Sequence, residues 1–164
     1  MRYIDNTNQP YKATTRAELA EELYRTSWAK VYAYGANTNI DGMKYRCPKS
    51  KLLGTLDLPD WRLVFKGVAD IEVAPHNKVN GVLWEITEEC ERSLDRFEGY
   101  PNLYRKEYFT VEKGDGTVID VMFYKMNREG YAPPSDQYFE CIETGYRQND
   151  IPTDLLWQSL HECM

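Results

Sequence analysis

Apolar residues between positions 86 and 97 recur every three or four residues, which is the spacing of one face of an α-helix. Thr87 and the two glutamates that follow it are typical of a helix N-terminus, where a hydroxyl caps free N–H groups and acids favour the dipole. Gly99 ends the pattern, and glycine is common just beyond a helix C-terminus. We therefore predict a helix that ends at Glu98.

Glu98 is the candidate for chemistry in this stretch. The negative end of the helix dipole and the unpaired carbonyl groups of the last turn disfavour a carboxylate, so we expect a raised pKa. A solvent-exposed glutamate before a glycine cap is the commoner arrangement, and this stretch alone leaves both interpretations open.

Apolar runs predict β-strands over much of the remaining chain. The run at residues 79–86 is too apolar for a strand with one wet face, so we expect it at the centre of a sheet, covered on both sides. Residues 113–116 contain two glycines and an aspartate, which is typical of a hairpin turn. The predicted strands are residues 30–34, 51–58, 62–65, 68–73, 79–86, 104–112 and 117–126.

Helices are predicted at both ends of the chain. Residues 1–13 are polar and lack periodicity, and Thr14 or Thr15 then caps a helix. Ser135 caps a helix of residues 136–148, and a last helix begins near residue 153. No repeat or interdomain linker is visible, and we divide the chain into an N-terminal extension, residues 1–28, and one domain, residues 29–164.

Composition excludes several classes of protein. The length of 164 residues fits a single core, and a net charge of −6 argues against a nucleic-acid partner. No window approaches the ~18 apolar residues of a membrane span. The four cysteines form no C-x-x-C pair and no signal-like run precedes Val31, so we expect a cytoplasmic protein with reduced, buried or idle thiols.

Metal and cofactor sites are not expected. His76 and His161 lie far apart and lack cysteine or carboxylate neighbours at metal-ligand spacing. Glycine-rich phosphate-binding motifs and a serine elbow are also missing from the sequence.

Three segments, residues 31–37 (VYAYGAN), 94–100 (LDRFEGY) and 132–138 (APPSDQY), occur in the order and spacing of a known family. Together they resemble the γ-glutamyl cyclotransferase superfamily, with its AIG2-like and BtrG-like members, over roughly residues 30–160. The third segment resembles the γ-glutamyl cyclotransferase branch proper, whereas residues 97–104 resemble the γ-glutamylamine cyclotransferase and BtrG-like branches. The leaving amine or amino acid therefore stays open.

The resemblance implies an α+β fold, a small mixed β-barrel with helices packed around it. It also implies that Glu98 is the general acid/base and that the loop from Tyr34 to Asn37 binds the substrate through backbone amides. Ala36 departs from the family, which has a serine at this position. The substrate-binding residues that the resemblance implies are Tyr34, Gly35, Ala36, Asn37, Tyr104, Tyr124 and Tyr138.

The implied reaction is attack of a substrate's own α-amine on its γ-glutamyl carbonyl, which releases 5-oxoproline and an amine or amino acid without metal or cofactor. The substrate would be a small γ-glutamyl amide, and a γ-glutamyl group on a larger carrier or protein is also open. The alternative is a non-catalytic binding protein on the same fold, suggested by Ala36 and the N-terminal extension. The oligomeric state is not predicted.

Overall fold

The computed structural model describes residues 2–4, 28–112 and 114–164. The predicted helix after Thr14 and most of the predicted arm lie outside the described residues. Residues 2–4 form a strand within the main sheet, paired in parallel with residues 110–112. The division into an extension and a domain stays a prediction.

Six strands of the described ranges form one mixed sheet in the order β1-β5-β6-β2-β4-β3. β1 runs parallel to β5 and β2 runs parallel to β6, whereas the other neighbours are antiparallel. The α+β prediction is confirmed, but β1 and β3 lie at opposite edges, so the described strands form an open sheet and not a closed barrel. The strands are β1 (Arg2–Ile4), β2 (Ala29–Ala33), β3 (Lys51–Phe65), β4 (Ala69–Ile86), β5 (Tyr104–Glu112) and β6 (Val118–Met126).

β3 and β4 are each one long strand where the sequence predicted two shorter ones. Pro59 pairs with Lys78 and Trp61 pairs with Val73, so residues 74–77 bulge out opposite Asp60 alone. Both sides of the bulge contain a residue with positive φ, 66° at Asp60 and 69° at His76. The proline-containing segments that predicted turns therefore form a bulge, and β3 pairs with β4 on both sides of it.

In the part of the chain that the structure describes, four helices and one 3₁₀ turn flank the sheet. Thr87 and Ser135 cap their helices as predicted, since each side chain accepts a hydrogen bond from the N–H three residues on. Gly99 follows with a φ of 64°, the left-handed conformation of a helix end. The helices are α1 (Ile40–Arg46), α2 (Glu88–Glu98), α3 (Asp136–Gln148) and α4 (Asp154–Glu162), and the 3₁₀ turn is Ala36–Thr38.

The sheet is covered on both faces, which produces two apolar cores. One core includes Phe139 of α3 and Leu156 of α4, and the other includes Met43 of α1 and Leu94 of α2. Residues 79–86 are buried throughout and lie between β2 and β3, as predicted for a central strand. Within the described ranges, no helix is long and apolar enough to span a membrane.

A disulfide joins Cys47, just after α1, to Cys90 in the first turn of α2, with their Cα atoms 5.0 Å apart. The prediction of reduced thiols is therefore wrong for this pair, whereas Cys141 and Cys163 are free. The two bonded residues are 43 positions apart, and only the packing of α1 against α2 brings them together. The bond ties both helices into one unit.

Gly145 allows α3 to approach the turn that follows β2. A Cβ at this position would lie 2.4 Å from Thr38 Oγ1 and 2.6 Å from the backbone nitrogen of Asn39. We expect Gly145→Ala to lower the free energy of unfolding by about 1–3 kcal/mol, because the overlap outweighs alanine's better helix propensity. Urea denaturation measures the change, and Gly114→Ala is the matched control because nothing lies within 4 Å of that position. Equal stability of the two variants would contradict the prediction.

Candidate active site

A cavity of about 350 Å³, open mouth included, lies where β2 ends beside the last turn of α2. All eight site residues predicted from the sequence line it, although their roles stay predictions. They are Tyr34, Gly35, Ala36, Asn37, Glu98, Tyr104, Tyr124 and Tyr138, and the remaining lining residues are Val31, Tyr32, Ala33 and Ala69.

Glu98 is the carboxylate of this cavity. Its side chain faces the loop after β2, where Asn37 Nδ2 donates a hydrogen bond to Oε1 at 3.0 Å. Burial raises the pKa of Glu98 to about 7, against the opposing effects of the Arg46 charge and the Asn37 hydrogen bond. A carboxyl group with this pKa exchanges protons readily near neutral pH. The raised pKa was expected from the helix terminus, but loss of solvent is its main cause.

The loop after β2 curls into the 3₁₀ turn. The N–H of Thr38 and its hydroxyl both donate to the carbonyl of Gly35, at 3.0 and 2.7 Å. The N–H of Asn39 donates to the carbonyl of Ala36 at 3.1 Å. These carbonyl groups are therefore engaged inside the turn, and the N–H of Ala36 interacts with the hydroxyl oxygen of Tyr138.

Two of the pocket tyrosines are held by one backbone position, Ala69 at the start of β4. The hydroxyl of Tyr104 donates to the carbonyl of Ala69 at 2.6 Å, and the N–H of Ala69 donates to the hydroxyl oxygen of Tyr138 at 3.0 Å. Sequence reasoning missed Ala69, since an alanine that acts through its main chain leaves no side-chain signal.

Tyr124 and Tyr34 are fixed on the other side of the cavity. The hydroxyl of Tyr124 donates to Asp95 Oδ1 at 2.7 Å, and the hydroxyl of Tyr34 donates to the carbonyl of Tyr124. Burial raises the pKa of Tyr34, Tyr104, Tyr124 and Tyr138, so each stays a neutral phenol at physiological pH. Asp95 was also missed, although its place three residues before Glu98 puts both acids on one helix face.

Asp70, which is fully buried, supports Ala69 from behind the cavity. Its Oδ2 lies 2.8 Å from the ammonium groups of both Lys66 and Lys125, and its Oδ1 accepts the N–H of Met126 at 3.1 Å. The start of β4 is thus tied to β6 by charge as well as by packing.

Across residues 28–112 and 114–164, no three His, Cys, Asp or Glu side chains are grouped to hold a metal ion. Glu98 is surrounded by phenols and an amide, which are groups suited to hydrogen bonding with an organic substrate.

Known proteins share this fold and part of this sequence. A family model described as gamma-glutamyl cyclotransferase, AIG2-like, matches residues 31–146. Proteins named gamma-glutamylcyclotransferase from Bos taurus and Homo sapiens are each 29% identical to this chain over 136 residues, covering 75% of it and 72% of their own length. A solved structure of a gamma-glutamyl cyclotransferase is 26% identical with a TM-score of 0.69, and the match covers 83% of this chain and 88% of that one.

The chain belongs to the gamma-glutamyl cyclotransferase, AIG2-like family, and is an enzyme of the cyclotransferase type. The resemblance seen in the three sequence segments is confirmed.

Proposed function

We propose that this protein cyclises small γ-glutamyl amides, releasing 5-oxoproline and an amine or amino acid. The observation that carries the proposal is the position of Glu98, a partly buried carboxyl group with a pKa of about 7, in the same cavity as the N–H groups of the loop after β2. A γ-glutamyl group contains its own nucleophile, so the protein has to orient it and move its proton.

Proton transfer is the role we assign to Glu98. In the substrate, the α-ammonium group loses a proton to the Glu98 carboxylate, and the free amine attacks the γ-carbonyl carbon to close a five-membered lactam. The C–N bond to the leaving group then breaks as Glu98 returns the proton to the departing nitrogen, and the extra proton on the attacking nitrogen passes to the released amine, which leaves as an ammonium ion. Glu98 ends the cycle as a carboxylate, ready for the next substrate.

The negative charge that develops on the γ-carbonyl oxygen needs hydrogen-bond donors. We assign this task to the N–H groups of residues 35–37, an effect commonly worth ~3 kcal/mol per donor. The engaged carbonyl groups of Gly35 and Ala36 support this assignment. Ala36 offers the same N–H as the serine of the family resemblance, without the hydroxyl.

The neutral phenols are proposed to hold the rest of the γ-glutamyl group. Tyr104 and Tyr138 share Ala69 as their anchor, and Tyr124 is anchored by Asp95. Rigid anchors of this kind hold a ligand with little loss of side-chain entropy on binding.

A cytoplasmic location and the lack of a nucleic-acid partner stay predictions. The acidic composition supports the second. The Cys47–Cys90 disulfide argues against a strongly reducing compartment, because structural disulfides are rare there.

The pH profile of kcat/KM is expected to rise with pH through an apparent pKa of about 7 and then level off. Below this pH Glu98 is protonated and takes no proton from the substrate amine, so the rate falls about tenfold per pH unit. Steady-state kinetics between about pH 5 and 9 measure this limb. A rate that stays constant from pH 5 to 7 would show that Glu98 is not the base.

The proposed reaction is tested by incubating the purified protein with γ-glutamyl dipeptides and γ-glutamyl amines and quantifying 5-oxoproline. We expect product from at least one of the two classes, and the preferred class identifies the leaving group. The matched control is the same substrate with its α-amine acetylated, which leaves the nucleophile without a free electron pair. Absence of 5-oxoproline from every γ-glutamyl compound, with the protein folded, would contradict the proposal and favour the binding protein.

A further inference from the structure

Arg46 lies close behind Glu98 without lining the cavity. It is the last residue of α1, and its backbone carbonyl accepts the hydroxyl of Ser93 of α2 at 2.8 Å. Its guanidinium carbon is 4.0 Å from the centre of the ring of Phe97, the residue that precedes Glu98. Together with the neighbouring disulfide, these contacts fix the arginine against the last turn of α2.

The space for the guanidinium group is provided by Gly42, one turn earlier in α1. A Cβ at Gly42 would lie 2.8 Å from Nη2 and 3.2 Å from Nη1 of Arg46. Nη2 is buried and has no hydrogen-bond partner among the described residues. A buried donor without a partner destabilises the fold, so packing alone does not explain why the charge is placed here.

The hydrogen bonds of Asn37 explain it. Arg46 Nε donates to Asn37 Oδ1 at 3.0 Å, and Asn37 Nδ2 donates to Glu98 Oε1 at 3.0 Å. A guanidinium group can only donate, so it forces the amide oxygen of Asn37 toward itself and the NH₂ group toward Glu98. The orientation of the amide is thus set by Arg46.

We propose that Arg46 is a positioning residue, which acts through Asn37 to hold the Glu98 carboxylate in place and sets a positive charge beside it. This inference rests on the proposed role of Glu98 as the proton carrier.

Among the other groups near Glu98, Asp95 of the preceding turn of α2 is paired with Lys106 of β5 at 3.0 Å, and the rest are phenols. The phenols that interact with it electrostatically are Tyr34 of the β2 loop, Tyr104 of β5, Tyr124 of β6 and Tyr138 of α3, and all four are neutral because burial raises their pKa. Burial also raises the pKa of Glu98 itself, and the Arg46 charge opposes that effect. Arg46 has one further titratable neighbour, Cys141 of α3, whose pKa burial raises, so this thiol is neutral too.

Arg46→Gln is the variant that tests the inference. We expect the acidic limb of kcat/KM to move to higher pH by about one unit, because the carboxylate loses its nearby positive charge. We expect kcat at neutral pH to fall about tenfold, with a smaller change in KM. Arg46→Lys keeps the charge, so the acidic limb of its kcat/KM profile should stay near that of the wild type. Its kcat should still fall, because lysine lacks the Nε that orients Asn37. Arg96→Gln, which removes an exposed charge from the same turn of α2, is the matched control.

A direct measurement separates this inference from the proposed reaction. The carboxyl carbon of Glu98, assigned by its loss in Glu98→Gln, can be titrated by NMR in the wild type and in Arg46→Gln, whether or not either protein turns over substrate. A higher pKa in Arg46→Gln supports the inference even if no 5-oxoproline is ever formed. An unchanged pKa, or an equal rise in Arg96→Gln, overturns it.

Gly42→Ala provides a second route if Arg46→Gln does not fold. Alanine favours the helix, and the atoms its Cβ meets belong to the flexible end of Arg46, so the guanidinium group moves while the backbone stays. We expect a shift of the Glu98 titration in the same direction and smaller in size. A titration identical to that of the wild type would count against the inference.

Discussion

Glu98→Gln is expected to slow turnover by orders of magnitude and, at the same time, to make the protein more stable at about pH 8. Glutamine has nearly the shape of glutamate and its oxygen can still accept the Asn37 hydrogen bond, but it cannot take up a proton. The rate should therefore fall by about 10²–10⁴-fold, the usual contribution of a general base. Quantification of 5-oxoproline formed from the best γ-glutamyl substrate measures the loss.

The gain in stability follows from the titration of Glu98. Its pKa is about 7 in the folded protein against 4.5 for an ordinary glutamate, so the folded state binds this proton more tightly. Protonated Glu98 therefore contributes to the free energy of unfolding. This contribution is fully present below pH 4.5 and is lost as the pH rises through 7. Above that pH, Glu98→Gln should raise the free energy of unfolding by up to about 3 kcal/mol, because it has no group to ionise. In acid, where Glu98 is protonated, the substitution should change nothing.

Urea denaturation of both proteins at about pH 4 and pH 8 separates the two effects. Glu89→Gln, an exposed glutamate on the same helix, is the matched control and should change neither activity nor stability. A Glu98→Gln protein that keeps full activity would remove Glu98 from the mechanism. Equal stability of Glu98→Gln and wild type at both pH values would show that the ionised Glu98 carboxylate does not destabilise the folded protein.

Asp70→Asn should produce the largest loss of stability, about 3–5 kcal/mol. The substitution keeps the size of the side chain and an oxygen for the N–H of Met126, but it leaves the buried Lys66 and the partly buried Lys125 without their counter-charge. Because Ala69 is the preceding residue, we also expect weaker substrate binding through displacement of Tyr104 and Tyr138. Urea denaturation gives the first quantity and KM the second.

Asp57→Asn is the control for this prediction. Asp57 lies on the neighbouring strand β3 and pairs with Lys78 at 3.3 Å, in a partly exposed position. An ion pair of that kind contributes about 1 kcal/mol or less. If Asp70→Asn and Asp57→Asn lowered the free energy of unfolding equally, the cluster at Asp70 would stabilise the fold no more than an exposed ion pair does.

The parts of the fold that follow local rules were predictable from the sequence. Thr87 and Gly99 bound α2 because capping depends on residues within one turn, and Glu98 then falls in the last turn without further information. Residues 79–86 were recognised as a central strand because burial on both faces leaves a continuous apolar run.

The parts that depend on distant neighbours were not predictable. Pro59 and His76 carry the same local signal as a turn, and only the pairing of β3 with β4 converts that signal into a bulge. Cys47 and Cys90 meet because two helices pack together, and Arg46 reaches Asn37 across the space above Gly42. Contacts of this kind are set by three-dimensional packing, which single-sequence patterns do not contain.

Ala69 has a consequence for how such sites are recognised. Both polar groups of its main chain form hydrogen bonds with phenols. The positions of Tyr104 and Tyr138 therefore depend on the conformation of the main chain at residue 69 and not on its side chain. An alanine scan passes over this position, and a side-chain motif search has nothing to match. Relatives can differ here in identity while keeping the same anchor, as long as the side chain stays small and the N–H is retained.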